Sequence, residues 1–119
     1  MPPVTAFQAQ LAVEPDADRL GRYRADIGAE WNCPLVPHGG LVTAVAASAM
    51  RAELHAAAQR LRSITVVFAG SVEPGPVEID VTVLRRGRTM SQLGATLRSV
   101  GATQPDAPGA SAIRGNARP

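Results

Sequence analysis

One short segment of the sequence has the residue types that could stabilise a developing negative charge. His38, Gly39 and Gly40 follow Pro37 and open a stretch, residues 41–54, that contains neither glycine nor proline and favours a helix. The first turn of a helix offers unpaired backbone N–H groups and the positive end of the helix dipole, and glycine lets a ligand approach them. Gly39 and Gly40 could therefore bind an anionic oxygen. Alternatively, they only permit a tight turn before the helix.

Two side chains near this helix start could assist such chemistry. His38 could donate a hydrogen bond or accept a proton near neutral pH, although we favour a ring that only packs beside the helix. Thr43 could orient a water molecule, but a threonine inside a helix more often bonds its own backbone. His55 lies at the far end of the segment, where a cation suits the helix dipole, and we predict that it caps the helix.

The start of the helical segment lacks a carboxylate. Glu53 lies near its end, and Asp26 and Glu30 could reach the site only through the loop that contains Trp31. Cys33 is the only cysteine, so the sequence offers no internal disulfide and no thiolate zinc cluster. We predict no metal site, and Cys33 is interpreted as a buried structural thiol because no partner base is identified.

All of the 12 basic residues are arginine, and the formal net charge is +2. Arg85, Arg86 and Arg88 form the one tight group, at a predicted turn between two strands. Their guanidinium groups could bind phosphate, although a solvated hairpin tip is the favoured alternative. The lack of a basic stripe and an aromatic content of 3% argue against a nucleic-acid partner.

The helical segment is expected to lie at the centre of the fold. It has no charged face before Arg51, so a sheet should cover most of it, and small side chains such as Ala46 and Ala47 allow close contact. Its apolar run is too short to span a bilayer, and nothing else in the sequence predicts a membrane partner. A cytoplasmic protein is expected.

Alternating apolar and polar residues predict the strands. They are expected at residues 7–13, 20–27, 62–70, 76–86 and 88–100. Short connections around residues 73–76 and 86–87 predict that the last three strands are neighbours in an antiparallel sheet. Because prolines and glycines interrupt the rest, we expect one domain over residues 1–101 and a flexible or irregular C-terminal tail over residues 102–119.

Four landmarks occur in a characteristic order. They are Trp31, then His38-Gly39-Gly40, then the strand at residues 62–68 with Pro74-Gly75, then the segment at residues 84–88 that contains the arginine group. Over roughly residues 7–100 they resemble the N-terminal half of type II acyl-CoA thioesterases and their thioesterase-like relatives. The resemblance implies an α+β hotdog fold, in which an antiparallel sheet wraps around one central alanine-rich helix.

The resemblance also implies a function, acyl-CoA thioester hydrolysis without a cofactor, since coenzyme A enters as part of the substrate. The thioester carbonyl would lie at the helix start, with His38, Gly39, Gly40 and Thr43 as catalytic candidates. The candidates for substrate binding are Trp31, Arg85, Arg86 and Arg88, with Trp31 more in keeping with a core anchor. A homodimer or higher oligomer would cover an exposed sheet edge.

The sequence departs from the family pattern after the strand at residues 88–100. Relatives continue into a further strand and a second hotdog, and the type II residues credited with activating water belong to that second half. The chain is therefore expected to be truncated. The alternative function is a non-catalytic module that binds acyl-CoA or a partner chain. A hydratase on the same fold is a third possibility, but the expected pair of Asp and His is not recognisable.

Overall fold

The computed structural model describes residues 5–33, 37–100 and 111–118, and in these ranges a six-stranded antiparallel sheet packs against one long helix. The elements are α1 (Ala6–Gln10), β1 (Glu14–Pro15), β2 (Arg22–Ile27), a short 3-10 helix (Ala29–Trp31), α2 (Gly39–Leu54), β3 (Arg60–Phe68), β4 (Gly75–Arg86), β5 (Ser91–Ser99) and β6 (Ser111–Arg118). This is the α+β arrangement that the resemblance implies.

The first predicted strand, at residues 7–13, is wrong, because its start folds into α1 and the rest does not pair in the sheet. The Thr5 hydroxyl accepts a hydrogen bond from the Gln8 N–H at 3.1 Å, and the Gln8 side chain accepts one from the Thr5 N–H at 3.0 Å. This reciprocal capping box fixes a helix start and outweighs the alternation of residues 7–13. Only Glu14 and Pro15 are extended, and they pair with β2.

The other predicted strands are present, but their order in the sheet differs from the expectation. The order is β1-β2-β4-β5-β6-β3, so β3 pairs with β6 and not with β4. Residues 69–74 connect β3 to β4, and a connection of this length can reach about 20 Å, whereas three strand spacings amount to about 14 Å. The connection at residues 69–74 is therefore long enough to pass the ends of β6 and β5 and reach β4.

The C-terminal segment contains a strand, so the expectation of an irregular tail is wrong for residues 111–118. These residues form β6, which lies between β5 and β3 and pairs with both. This segment has mostly small or polar side chains. It can still form a strand because the strands on both sides satisfy its backbone N–H and C=O groups. The strand that seemed to be missing after β5 is therefore β6. Residues 102–110 of the predicted tail lie outside the described residues.

The central helix is confirmed, and α2 begins two residues before the predicted start. One face of it is buried against the sheet; the buried residues are Leu41, Val42, Val45, Ala46, Ala49, Met50 and Leu54. They pack on inward side chains of β4 and β5, among them Ile79 and Leu97, which have no exposed surface. Ala47 is only half-buried, so the two alanines expected to contact the sheet lie in different environments.

The outer face of β2, β4 and β5 is held together by ion pairs. Arg22 donates to the Asp80 carboxylate, with Nε 2.8 Å from Oδ1. Arg98 links the same carboxylate to Glu78, with contacts of 3.2 and 2.7 Å. Because the alternate residues of a strand share a face, these side chains form a cross-strand network over the sheet.

Candidate functional site

The start of α2 has two backbone N–H groups that make no hydrogen bond within the described part of the chain. His38 precedes the helix in an extended conformation, and its ring Nδ1 accepts a hydrogen bond from the Leu41 N–H at 3.2 Å. Among the described residues, the N–H groups of Gly39 and Gly40 have no acceptor. The first turn of the helix can therefore still donate two hydrogen bonds.

The two glycines differ in how open they are. A Cβ atom at Gly39 would lie 2.7 Å from the Phe68 ring, so the end of β3 covers this residue. A Cβ at Gly40 would meet only the His38 ring, at 3.2 Å, and Gly40 is exposed. A ligand can therefore approach the backbone most closely at Gly40.

The capping bond limits what His38 can do. A neutral imidazole whose Nδ1 accepts a hydrogen bond carries its proton on Nε2. In this arrangement Nδ1 is occupied by the capping bond, and His38 can donate a hydrogen bond from Nε2. We expected a ring that only packs beside the helix, but its side chain also caps the helix.

A groove of about 800 Å³ runs along α2 from the open glycine. It lies between the half-exposed face of α2 and the inner side of β3 and β6. Its lining residues include Gly40, Thr43, Ala44, Ala47 and Ser48 from the helix and Leu61, Ile64, Leu93, Gly115 and Ala117 from the sheet. Most of these side chains are small or apolar, so the groove suits an extended, largely apolar chain.

Two hydroxyl groups line this groove, and both donate to backbone carbonyls. Thr43 Oγ1 donates to the Gly39 carbonyl at 2.7 Å, the intrahelical bond expected for a helix-interior threonine. Ser48 Oγ donates to the Leu11 carbonyl at 2.7 Å. In both cases the oxygen can still accept a hydrogen bond from a ligand or from water.

Acidic residues do not contribute to the groove lining in the part of the chain that the structure describes. Glu53 faces the other way and accepts a hydrogen bond from the Tyr23 hydroxyl at 3.1 Å. Burial, and then this contact with Glu53, raises the pKa of Tyr23 above its ordinary value. Asp26, Glu30 and Cys33 also lie outside the groove. Cys33 is exposed, so the prediction of a buried thiol is wrong.

Trp31 contributes to packing and not to the groove lining. Its ring makes an edge-to-face contact with Phe7, with 5.9 Å between the ring centroids. It is half-buried against the core, and its carbonyl accepts a hydrogen bond from the His38 N–H at 3.4 Å. Trp31 therefore anchors the loop that leads into α2.

The predicted arginine group lies at the opposite end of α2 from the glycines. Arg86 donates to the carbonyls of Leu54 and Glu53, the last residues of the helix. It therefore caps the negative end of the helix dipole. Arg85 and Arg88 are exposed, and none of the three lines the groove. Since a helix of 16 residues is about 24 Å long, the structure does not bring this group to His38 and the glycines.

Two other arginines, which the sequence did not single out, do line the groove. Arg51, in the last turns of α2, and Arg60, at the first position of β3, lie at the end farthest from Gly40. Gln59 lies beside them; its side chain donates to the Gly87 carbonyl at 2.8 Å and accepts from the buried Ser91 hydroxyl at 2.7 Å. Only the folded sheet brings these residues together, because the position of β3 depends on β6.

The described residues contain no helix long and apolar enough to cross a membrane, and no cluster of side chains suited to holding a metal ion.

Comparisons with solved structures connect this fold to thioesterases. A candidate thioesterase II from Thermobifida fusca superposes with a TM-score of 0.79 at 24% identity, over 98% of this chain and 41% of that protein. A tesB protein from Mycobacterium avium subsp. paratuberculosis gives a TM-score of 0.71 at 25% identity, over 95% of this chain and 41% of that protein. The chain thus spans about two fifths of the length of both.

A third structure was solved with coenzyme A. It is a protein from Bacillus halodurans, which gives a TM-score of 0.71 at 14% identity over 89% of this chain and 70% of that protein. None of the curated proteins compared with the chain matches it significantly. The model of one protein family, described as the acyl-CoA thioesterase N-terminal domain, matches residues 27–115. The matched region includes α2 and its glycines, most of the groove lining and strands β3 to β5, and the chain therefore belongs to the acyl-CoA thioesterase N-terminal domain family and has a hotdog fold.

Proposed function

We propose that this domain binds acyl-CoA thioesters with the thioester carbonyl at the start of α2 and hydrolyses them there. The observation on which this depends is the pair of unpartnered N–H groups at Gly39 and Gly40, where the groove begins. Attack on a thioester places negative charge on the carbonyl oxygen, and backbone N–H groups at a helix start stabilise such a charge.

The groove supports an acyl-CoA substrate, because its alanines and apolar sheet residues would contact an extended, uncharged arm of the ligand. The Bacillus halodurans structure, which contains coenzyme A, shows that a protein of similar fold binds this group. By analogy, coenzyme A would enter this domain as part of the substrate. We propose that the protein acts in the cytoplasm. No separate cofactor is proposed.

The groups that would act on the thioester can be assigned from their contacts. Gly40 would donate from its N–H, and His38 would donate from Nε2 because its Nδ1 is occupied. Thr43 Oγ1 would hold the attacking water by accepting a hydrogen bond from it. The described groove lining contains no carboxylate base, and we propose that a second chain or domain supplies it.

Replacing Gly40 with valine tests the assignment. The new side chain would block the approach to the first turn, so turnover should fall by roughly 10²–10³-fold, as it does when one oxyanion donor is lost. Ala52→Val is the matched control, since Ala52 is an exposed position on the same helix and lies outside the groove. Rates of acyl-CoA hydrolysis and circular dichroism spectra should be measured for both. A folded Gly40→Val protein with normal turnover would move the reaction elsewhere.

The second candidate function is a module that binds acyl-CoA, or a partner chain, without turnover. The absence of an acidic side chain from the described groove lining favours it. A panel of acyl-CoA chain lengths distinguishes the two candidates. Release of free coenzyme A would support hydrolysis, whereas saturable binding with no release would support the module.

We also propose that two copies of the domain pair through β3. This strand is at the edge of the described sheet, and three of its large apolar side chains are about half exposed: Leu61 at 50%, Val67 at 59% and Phe68 at 53%. An exposed apolar edge strand is a template for pairing with another strand.

The pairing can be broken with one charge. Thr65 lies near the middle of β3, so Thr65→Lys would bring two lysines close together across a two-fold axis and should shift the protein from dimer to monomer. Thr82→Lys is the control, because Thr82 is exposed on β4, which has neighbours on both sides. Sedimentation velocity gives the masses. A monomeric parent protein, or equal masses for all three proteins, would exclude this interface.

A further inference from the structure

We propose that Arg51 and Arg60 bind the phosphate groups of the acyl-CoA substrate at the far end of the groove. This inference rests on the proposed binding of acyl-CoA and deepens it. It assigns the phosphates to a pair of arginines different from the group that the sequence suggested.

The first argument is the state of the two side chains. Within the described residues, Arg51 and Arg60 are the arginines that line the groove, and neither makes a hydrogen bond or an ion pair there. By contrast, Arg22, Arg24 and Arg98 are held by carboxylates on the outer face of the sheet. Two exposed, unpaired guanidinium groups at one end of an otherwise apolar groove give it a cationic end. Guanidinium groups match phosphate geometry well.

The second argument is the distance along the helix. Gly40 and Arg51 line the same groove, and their separation along α2 corresponds to about 16 Å at the rise of an α-helix. In coenzyme A, the extended pantetheine arm separates the thioester sulfur from the diphosphate. A ligand with its carbonyl at Gly40 would thus lay this arm along Ala44 and Ala47 and bring its phosphates towards Arg51.

The helix dipole would oppose an anion at this end, but the protein offsets it. Arg86 donates to the carbonyls of Leu54 and Glu53, which carry much of the negative end of the dipole. The groove end is therefore left with the charges of Arg51 and Arg60. Gln59 is fixed by Ser91 and Gly87, and this holds the segment before Arg60 in place.

Calorimetric titration with coenzyme A and with pantetheine tests the inference. Pantetheine has the same arm without the phosphates. The Arg51→Gln, Arg60→Gln double variant should raise the Kd for coenzyme A by about 10–100-fold, the loss expected for charge-assisted hydrogen bonds. Its Kd for pantetheine should stay within twofold of the parent value. Since both side chains are exposed and unpaired, the melting temperature should not change.

Two single variants complete the experiment. Arg19→Gln removes the same charge at an exposed position outside the groove and should leave the Kd for coenzyme A within twofold. Arg85→Gln tests the arginine group that the sequence suggested for phosphate binding, and it should also leave the Kd for coenzyme A within twofold. A normal Kd for the double variant would overturn the inference, as would a loss at Arg19 or Arg85 as large as that of the double variant.

The outcome separates this inference from hydrolysis itself. If the parent protein binds coenzyme A through Arg51 and Arg60 but releases none from acyl-CoA, the inference stands and the hydrolase proposal fails. If the parent hydrolyses acyl-CoA and the double variant has the same KM, hydrolysis stands and the inference is overturned.

Discussion

The two long faces of α2 have opposite characters. One face, represented by Leu41, Val45 and Ala46, has no exposed surface and packs on β4 and β5. The other face, represented by Ala44 and Ala47, is half-buried and lines a groove of about 800 Å³ beside β3 and β6. The same alanine-rich sequence supplies both faces, so what differs is the part of the sheet that each one meets.

The difference continues into the sheet. Beside the closed face, β2, β4 and β5 are joined on their outer surface by an ion-pair network around Asp80 and Glu78. Beside the open face, β3 is an edge strand of the described sheet with exposed apolar side chains. The closed side of the molecule is fully packed. The open side has a groove and an edge strand, which the proposed ligand and the proposed second copy would occupy.

The largest expected effect comes from removing β6. A chain that ends at residue 101 would lose the strand between β5 and β3, and with it the sheet wall of the groove. We expect loss of cooperative unfolding, comparable to the whole free energy of unfolding of a small domain, about 5–15 kcal/mol. Urea denaturation followed by circular dichroism measures this. A shortened chain as stable as the parent would mean that the open side contributes nothing to folding.

A pair of identical substitutions tests the comparison between the helix faces directly. Ala46→Leu overpacks the closed face and should lower the free energy of unfolding by about 1–3 kcal/mol. The sequence predicted the same close contact with the sheet for Ala47, but Ala47 lines the groove, so Ala47→Leu should change stability by less than about 0.5 kcal/mol. It should instead fill the groove and weaken acyl-CoA binding. Both variants should be compared by thermal melting and by ligand titration. Equal effects of the two substitutions on stability and on binding would contradict the description of two different faces.

Acid should weaken the closed side. The hydrogen bonds from Arg22, and then the nearby arginine charges, hold the pKa of Asp80 below its ordinary value of 3.8. The unfolded chain therefore binds a proton at Asp80 more readily, so this contribution is present above about pH 4 and is lost as the pH falls through the lower pKa of the folded state. Asp80→Asn should remove this pH dependence and cost about 1 kcal/mol at pH 7.

Urea midpoints between pH 7 and pH 3 measure the effect. Glu14→Gln is the control, because Glu14 is exposed and lies outside the network. If the Asp80→Asn protein lost stability in acid as steeply as the parent, another carboxylate would have to be responsible.

The smallest effect concerns the end of α2, where the two faces meet. His55 ends the helix in the left-handed conformation, with φ 49°, so its role is set by its backbone and not by a capping side chain as predicted. Glycine adopts this conformation without steric strain, so His55→Gly should stabilise the protein by about 0.5–1 kcal/mol. A lower melting temperature would show that the imidazole makes a favourable contact.

The sequence was informative wherever local patterns decide the structure. The helix at α2 followed from its residue composition, and β2, β4 and β5 followed from their alternation. A local signal was missed at Thr5 and Gln8, whose spacing is that of a capping box. This capping box outweighs the short alternation of residues 7–13 and accounts for α1.

The remaining differences depend on contacts between distant segments. In β6, residues 111–118 have only one large apolar side chain, Ile113, so no alternation marks them as a strand. Their extended conformation depends on β5 and β3, which satisfy their backbone groups. Arg51 and Arg60 meet at the groove for the same reason, and the sequence cannot show this because it does not specify where β3 lies.

The pairing of β3 with β6 also has a consequence for synthesis on the ribosome. Arg60 pairs with Arg118 and Phe68 with Ser111, so β3 leaves the ribosome well before its partner exists. Synthesis proceeds at roughly 5–20 residues per second, so the apolar strand β3 waits unpaired for seconds while the chain up to β6 is made. A nascent chain in this state presents an unpaired apolar strand, and it is exposed to misassembly and to chaperones until β6 is available.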